Sequence, residues 1–86
     1  KRDWRRILRF EPHKALFAEN NGLEFYIVLL KYAPTVLNNG GALLVEVGYK
    51  QAFLVASLFK KAGFSEVEIS YDLNGHARVV KGVFSL

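Results

Sequence analysis

Four consecutive apolar residues, Ala42-Leu43-Leu44-Val45, constrain this chain most. They follow a turn-forming Asn38-Asn39-Gly40-Gly41 and lead through Glu46 and Val47 into Gly48. A continuous rather than alternating apolar run of this length predicts a strand buried on both faces, as in a parallel α/β sheet. Gly48 stands where the backbone must turn sharply out of the strand.

The flanking periodicity predicts helices on either side. Leu23, Tyr26, Ile27 and Leu30 recur at one-face helical spacing, and Phe25, Leu29 and Tyr32 widen the apolar face, so a helix is expected over about 23–33. Asn20 or Asn21 is placed to cap it, and Pro34 is expected to end it by forcing Ala33 away from helical angles. Tyr26 and Tyr32 are read as packing residues. A second helix is expected over about 50–62, with Ala52, Val55, Ala56, Phe59 and Ala62 as its buried stripe and Gly63 as its stop. Residues 66–72 then alternate, with Val67, Ile69 and Tyr71 on one face, and predict a strand with one wet side. Asn74-Gly75 supplies a hairpin turn into a returning strand over 77–84.

A strand, a crossover helix and a second strand give a right-handed βαβ unit with parallel strands. The hairpin makes the last strand antiparallel to its predecessor. A largely parallel sheet closed by such a hairpin is the arrangement of class I methyltransferases, in which the final strand slots between the two before it. The strand at 42–47 is expected to be an exposed edge on its other side. An unpaired apolar edge, together with uncovered helix faces, implies self-association as a two-fold dimer.

Charge divides the chain. Residues 1–14 carry six cations against Asp3 and Glu11, which is the whole formal excess of +4, and residues 15–86 balance. The chain is therefore expected to comprise a basic leading segment (1–19) and an α/β body (20–86). The basic segment is read as a solvated stretch, because only Trp4 and Phe10 are available there to stack on bases. With 86 residues and 51% hydrophobic content there is one small domain and no case for disorder. The chain begins with Lys and holds no Met, which reads as a piece of something longer. There is no cysteine, which excludes thiolate chemistry and a disulfide framework and fits a cytoplasmic setting. No apolar run approaches the roughly 20 residues of a membrane span.

The residues present offer little chemistry by themselves. His13 and His76 are the only histidines, and a zinc site needs three or four ligands, so no metal is expected. Gly40-Gly41 precedes a strand, whereas a dinucleotide loop follows one. Glu11 and Glu46 are the acid/base candidates. Glu46 sits near the carboxyl end of the buried strand, where open α/β sheets place their ligand crevices.

Read in order, Phe10-Glu11-Pro12, Ala15-Leu16, Asn21-Gly22-Leu23, Glu46-x-Gly48-Tyr49-x-Gln51, Gly63-Phe64, Asp72, Gly75, Arg78-Val79 and Gly82 resemble the HemK/PrmC family of protein-(glutamine-N5) methyltransferases. The resemblance spans residues 9–82 and departs where the family more often has Asp at the place of Asn21. It implies the closing part of a Rossmann-like class I methyltransferase sheet. It also implies that the parent enzyme uses S-adenosylmethionine to methylate the glutamine of the GGQ motif in peptide chain release factors. The family's Asn-Pro-Pro-Tyr loop, glycine-rich loop and ribose-binding acid have no counterpart in these residues. No catalytic or cofactor-binding residue is therefore carried over, and the chain alone is expected to be inactive and to bind no cofactor. Glu11, Pro12 and Glu46 are carried as substrate-side or supporting candidates. Two other classes stay open: a small basic nucleic-acid-binding module, and a non-catalytic α/β interaction domain.

Overall fold

A computed structural model describes residues 7–10 and 22–85. Its elements are β1 (Ile7–Phe10), α1 (Gly22–Tyr32), β2 (Ala42–Glu46), α2 (Ala52–Lys61), β3 (Ser65–Tyr71) and β4 (Ala77–Val83). The strands form one sheet in the order β1-β2-β4-β3. β1 and β2 are parallel, while β4 is antiparallel to both β2 and β3. β2 and β3 therefore run parallel to each other with β4 between them, as the crossover helix and the closing hairpin predict.

β2 is not an edge. Ile7 to Phe10 pair with Ala42 to Val45 in register, so the leading basic segment contributes a strand that the sequence reading did not foresee. Ile7-Leu8-Arg9-Phe10 carries no alternating pattern of its own and takes its strand form from the hydrogen bonds β2 offers. The edge expected at 42–47 is thus closed. Asn20, Asn21, Glu11, Pro12 and His13 lie outside the described residues.

The run at 42–45 is also not buried on both faces. Leu43 and Val45 are fully buried, whereas Ala42, Leu44 and Glu46 are half-buried. Both helices pack on the Leu43–Val45 side, where Tyr26, Leu30, Val55, Phe59 and Val80 join one core. On the other side Leu44 has Arg9 and Lys81 as its register neighbours, and no described helix lies over it.

α1 ends at Tyr32, but Ala33 does not leave helical space. Ala33–Thr35 continue as a 3-10 turn with Pro34 in its first positions, where a missing N–H costs nothing. The Ala33 carbonyl accepts from both Val36 and Leu37. The buried line of α1 is Tyr26, Leu30 and Ala33, while Ile27 and Tyr32 turn outward, the latter 62% exposed. Tyr32 is therefore not a packing residue.

α2 begins after a 3-10 turn over Tyr49–Gln51 and ends in a Schellman motif. Phe64 N–H donates to the Phe59 carbonyl and Gly63 N–H to that of Lys60, with Gly63 at φ 95°. The Phe59 and Phe64 rings meet across this cap at 5.3 Å. Ala62, expected in the buried stripe, is exposed. In β3, Val67 and Ile69 are half-buried, but Tyr71, past a register shift, is exposed.

Candidate functional site

Two elements converge on Glu46 at the carboxyl end of β2. From α1, Tyr26 Oη donates to the Glu46 carbonyl at 2.7 Å. Burial pushes the Tyr26 phenol up to about 12, and the Glu46 charge adds to the effect. From β1, Arg9 Nη2 stands 3.4 Å from Glu46 Oε2. Both side chains are about half in water, so the pair is worth only about 0–1 kcal/mol. It does, however, aim the carboxylate toward β1. Glu46 stands where the sequence put it, but its backbone is tied to a helix and its side chain to a neighbouring strand.

Beyond Glu46 the chain turns at Gly48, and the β3–β4 loop folds over that turn. Val47 N–H donates to the Arg78 carbonyl at 2.9 Å, which extends the β2–β4 ladder by one step. The Tyr49 and His76 rings stack with centroids 4.8 Å apart and 29° between planes. Lys50 Nζ lies 5.8 Å from the Tyr49 ring centre. Between them opens a cleft of about 250 Å³ lined by Gly48, Tyr49, Lys50, Gln51 and Arg78. The Gln51 Oε1 atom is buried and has no hydrogen-bond partner. The sequence reading missed this cluster, because Tyr49 and His76 are brought together only by the closing of the hairpin. The one signal available was that Tyr49 and Lys50 follow the glycine that ends a buried strand.

Asp72 builds the loop that closes the cleft. Its Oδ1 accepts from the backbone N–H of Asn74 at 2.8 Å and of His76 at 2.9 Å, and its Oδ2 accepts from Arg78 Nε at 2.8 Å. Gly75 N–H returns to the Asp72 carbonyl and takes φ 81°, while Asn74 keeps a negative φ. The turn is therefore a type I turn followed by a left-handed glycine rather than a two-residue Asn-Gly turn. The Asp72 side chain holds Asn74 in the ordinary helical region. The His76 N–H and then the Arg78 guanidinium hold the Asp72 carboxyl down from the usual 3.8 to about 2. A depressed folded pKa means that the ionised group adds stability above pH 3.8, lost as pH falls toward about 2. Asp72→Asn should accordingly lower the melting temperature at neutral pH, and the gap to wild type should close between pH 4 and 2. A gap that stays constant over that range would show that the charge is not what stabilises the loop.

A second hollow, about 480 Å³, lies between the carboxyl ends of α1 and α2. It is lined mainly by apolar side chains with Lys31 and Lys61, and offers no acid, base or nucleophile pair. Among the described residues no three His, Cys, Asp or Glu side chains stand together as metal ligands must, and no helix is long and apolar enough to cross a membrane.

No protein-family model matches the chain. It is 39% identical over 74 residues to a bifunctional methyltransferase of Rickettsia typhi, a match covering 86% of this chain and 14% of that protein. It is 41% identical over 76 residues to a release factor glutamine methyltransferase of Geobacter sulfurreducens, covering 88% of this chain and 27% of that protein. The chain belongs to the release factor glutamine methyltransferase family. The fold agrees: the crystal structure of a release factor-specific protein-(glutamine-N5) methyltransferase from Alicyclobacillus acidocaldarius superposes with a TM-score of 0.65 at 31% identity, over 88% of this chain and 46% of that one. The sheet is thus the closing part of a Rossmann-like class I methyltransferase domain. The chain spans about a quarter or less of the length of the curated family members it matches.

The family implies S-adenosylmethionine, and the described residues do not fit it. The carboxyl end of β2 offers the single Gly48 before a short 3-10 turn, not a glycine-rich loop that bares a row of N–H groups. Glu46, at that strand end, has its carboxylate turned to Arg9.

Proposed function

We propose that the whole protein methylates the side-chain amide of the GGQ glutamine in peptide chain release factors, with S-adenosylmethionine as donor. The methyl group passes from the sulfonium to the amide nitrogen, which gives up a proton and leaves S-adenosylhomocysteine. The observation that carries this reading is the 41% identity that runs through 88% of the chain to a protein bearing that name. Such a reaction depends on holding a weakly nucleophilic amide in line with the donor, which is work for positioned groups from several strand ends. A bacterial release factor is translated and modified in the cytoplasm, and the reading places the protein there.

The test is methyl transfer by the full-length protein from radiolabelled donor to purified release factor. Label should enter wild-type release factor and be lost when its GGQ glutamine is replaced. Labelling of DNA or a small molecule with release factor untouched would overturn the reading. The 86-residue chain by itself should bind no S-adenosylmethionine in calorimetry, and micromolar binding would contradict that. The isolated chain should also self-associate as a dimer, through the exposed apolar residues Ile27 and Val28 of α1 and Phe53 and Leu54 of α2. A monomer by light scattering at high concentration would end that proposal.

A further inference from the structure

Asparagine stands directly before glycine at two places in this chain, Asn39-Gly40 and Asn74-Gly75. Such a pair is chemically weak. The glycine nitrogen, with no Cβ beside it to crowd the approach, can attack the asparagine amide carbon and displace ammonia. It does so only after its hydrogen bond is broken and its proton is lost. Whatever holds the glycine N–H and the asparagine side chain therefore sets the rate.

The fold treats the two pairs differently, although all four residues are exposed. Gly40 N–H donates to the Phe84 carbonyl at 2.7 Å, and Phe84 N–H returns to the Gly41 carbonyl at 2.8 Å. These bonds tie the turn to the chain just beyond β4, so freeing Gly40 means parting two segments that are far apart in sequence. Asn39 also has a partner of its own. Gly75 N–H is held only within its own turn, by the Asp72 carbonyl at 3.0 Å. Among the described residues nothing bonds the Asn74 side-chain amide. Leu73, beside it, is fully exposed, so the tip of this hairpin stands clear of the body. What steadies Asn74 is the Asp72 carboxylate. One oxygen accepts from the N–H groups of Asn74 and His76, which flank Gly75, and the other from Arg78 Nε. A negative charge so placed also opposes loss of the Gly75 proton.

We propose that Asn74-Gly75 is a site of spontaneous deamidation in the folded protein, and that the Asp72 carboxylate sets its pace. The deprotonated Gly75 nitrogen forms a bond to Asn74 Cγ, the Cγ–Nδ2 bond breaks, and Nδ2 takes protons from water and leaves as ammonia. Water then opens the resulting succinimide. Breaking the new nitrogen–Cγ bond gives aspartate, and breaking the original peptide bond to the Asn74 carbonyl carbon gives isoaspartate. Isoaspartate puts one more methylene into the main chain, which carries the His76 N–H away from Asp72. The brace on the hairpin then fails, and with it the seat of the His76 ring on Tyr49. The reaction needs only water, and is independent of what the whole protein methylates.

The test follows the 86-residue chain at mildly alkaline pH, with its proteolytic peptides read by mass spectrometry and each rate taken relative to the same site in urea. In the folded chain Asn74 should react about tenfold faster than Asn39, the factor for roughly one more hydrogen bond to break. Its products should be aspartate and isoaspartate together, and hydroxylamine should cleave the chain between residues 74 and 75. Asp72→Ala should speed the reaction at Asn74 by about tenfold, as expected for loss of a charge-assisted hydrogen bond, and leave Asn39 unchanged. Asp72→Ser guards against a variant that loosens the whole fold. Its hydroxyl still accepts from a backbone N–H two residues on, so the rate at Asn74 should fall between wild type and Asp72→Ala. Asn39 reacting as fast as Asn74 in the folded chain would overturn the proposal. So would a rate at Asn74 indifferent to both substitutions, or one that rises only in step with Asn39 in both.

Discussion

Phe59→Ala is expected to lose about 3–5 kcal/mol, the range for removing a fully buried aromatic ring. The whole stability of a domain this size is on the order of 5–15 kcal/mol, so the variant should be largely or marginally unfolded at room temperature. The site explains the size of the effect. Phe59 is entirely buried, lies against β4 at Gly82, and meets Phe64 across the α2 cap. Its ring fills the space that Gly82 leaves, so nothing larger stands ready to collapse into the cavity. The loss would loosen α2 from β4 and weaken the hydrophobic contact of the Schellman motif at once. Urea denaturation followed by circular dichroism measures it. A midpoint shift worth less than about 1 kcal/mol would mean that the helix–sheet contact is not the main hold on the fold.

Gly82→Ala is expected to destabilise by about 1–3 kcal/mol, and Gly82→Val by more. The reason is space, not backbone strain, since Gly82 is not among the positive-φ residues. A Cβ at Gly82 would come within 2.6 Å of Phe59 Cδ2 and 3.1 Å of Phe64 Cβ. The ring cannot swing aside, because it is enclosed on every side. Replacing glycine in a strand ordinarily gains roughly 0.5–1 kcal/mol of backbone entropy, which only partly offsets the clash. A smaller residue opposite should restore room, so Phe59→Leu combined with Gly82→Ala should cost less than the sum of the two single changes. Coupling of about 0.5–3 kcal/mol is usual for residues in contact. Gly82→Ala that raises the denaturation midpoint would refute the close packing.

Much of the fold could be read from local pattern. α1 and α2 announce themselves by 3.6-residue spacing, and the punctuation at Gly63 and Asn74-Gly75 falls where the chain turns. What could not be read was decided by contacts far along the chain. β1 is a strand because β2 offers it hydrogen bonds, and nothing in a basic stretch foretells that. The run at Ala42–Val45 reads as covered on both sides, but composition cannot show which face a helix will cover. Tyr32 belonged to an apolar helix face on the wheel, yet Tyr26, Leu30 and Ala33 set the true centre of that face. Ala62 was lost to the stripe because the cap at Gly63 begins to unwind the helix there. The site was legible only in part. Glu46 could be placed at a strand end, but Lys50 and Gln51 in one turn, His76 in another and Arg78 at the start of β4 meet only after the sheet has formed.

β4 is the last strand to be synthesised among the four, yet it is the one through which β2 and β3 are joined. A nascent chain that has reached Tyr71 holds β1 and β2, which can pair, and β3, which has no native neighbour until β4 follows. Leu43 and Val45 then have no β4 beside them, and the inner face of α2 has only part of its floor. Long-range pairings of this kind are slow to form, because loop closure must precede any reward. Native structure should therefore arise late and all at once, when residues 77–83 thread between their neighbours. Until that moment the apolar strand is open to any other chain nearby, so the interval before the hairpin closes is when this protein most needs protection from aggregation.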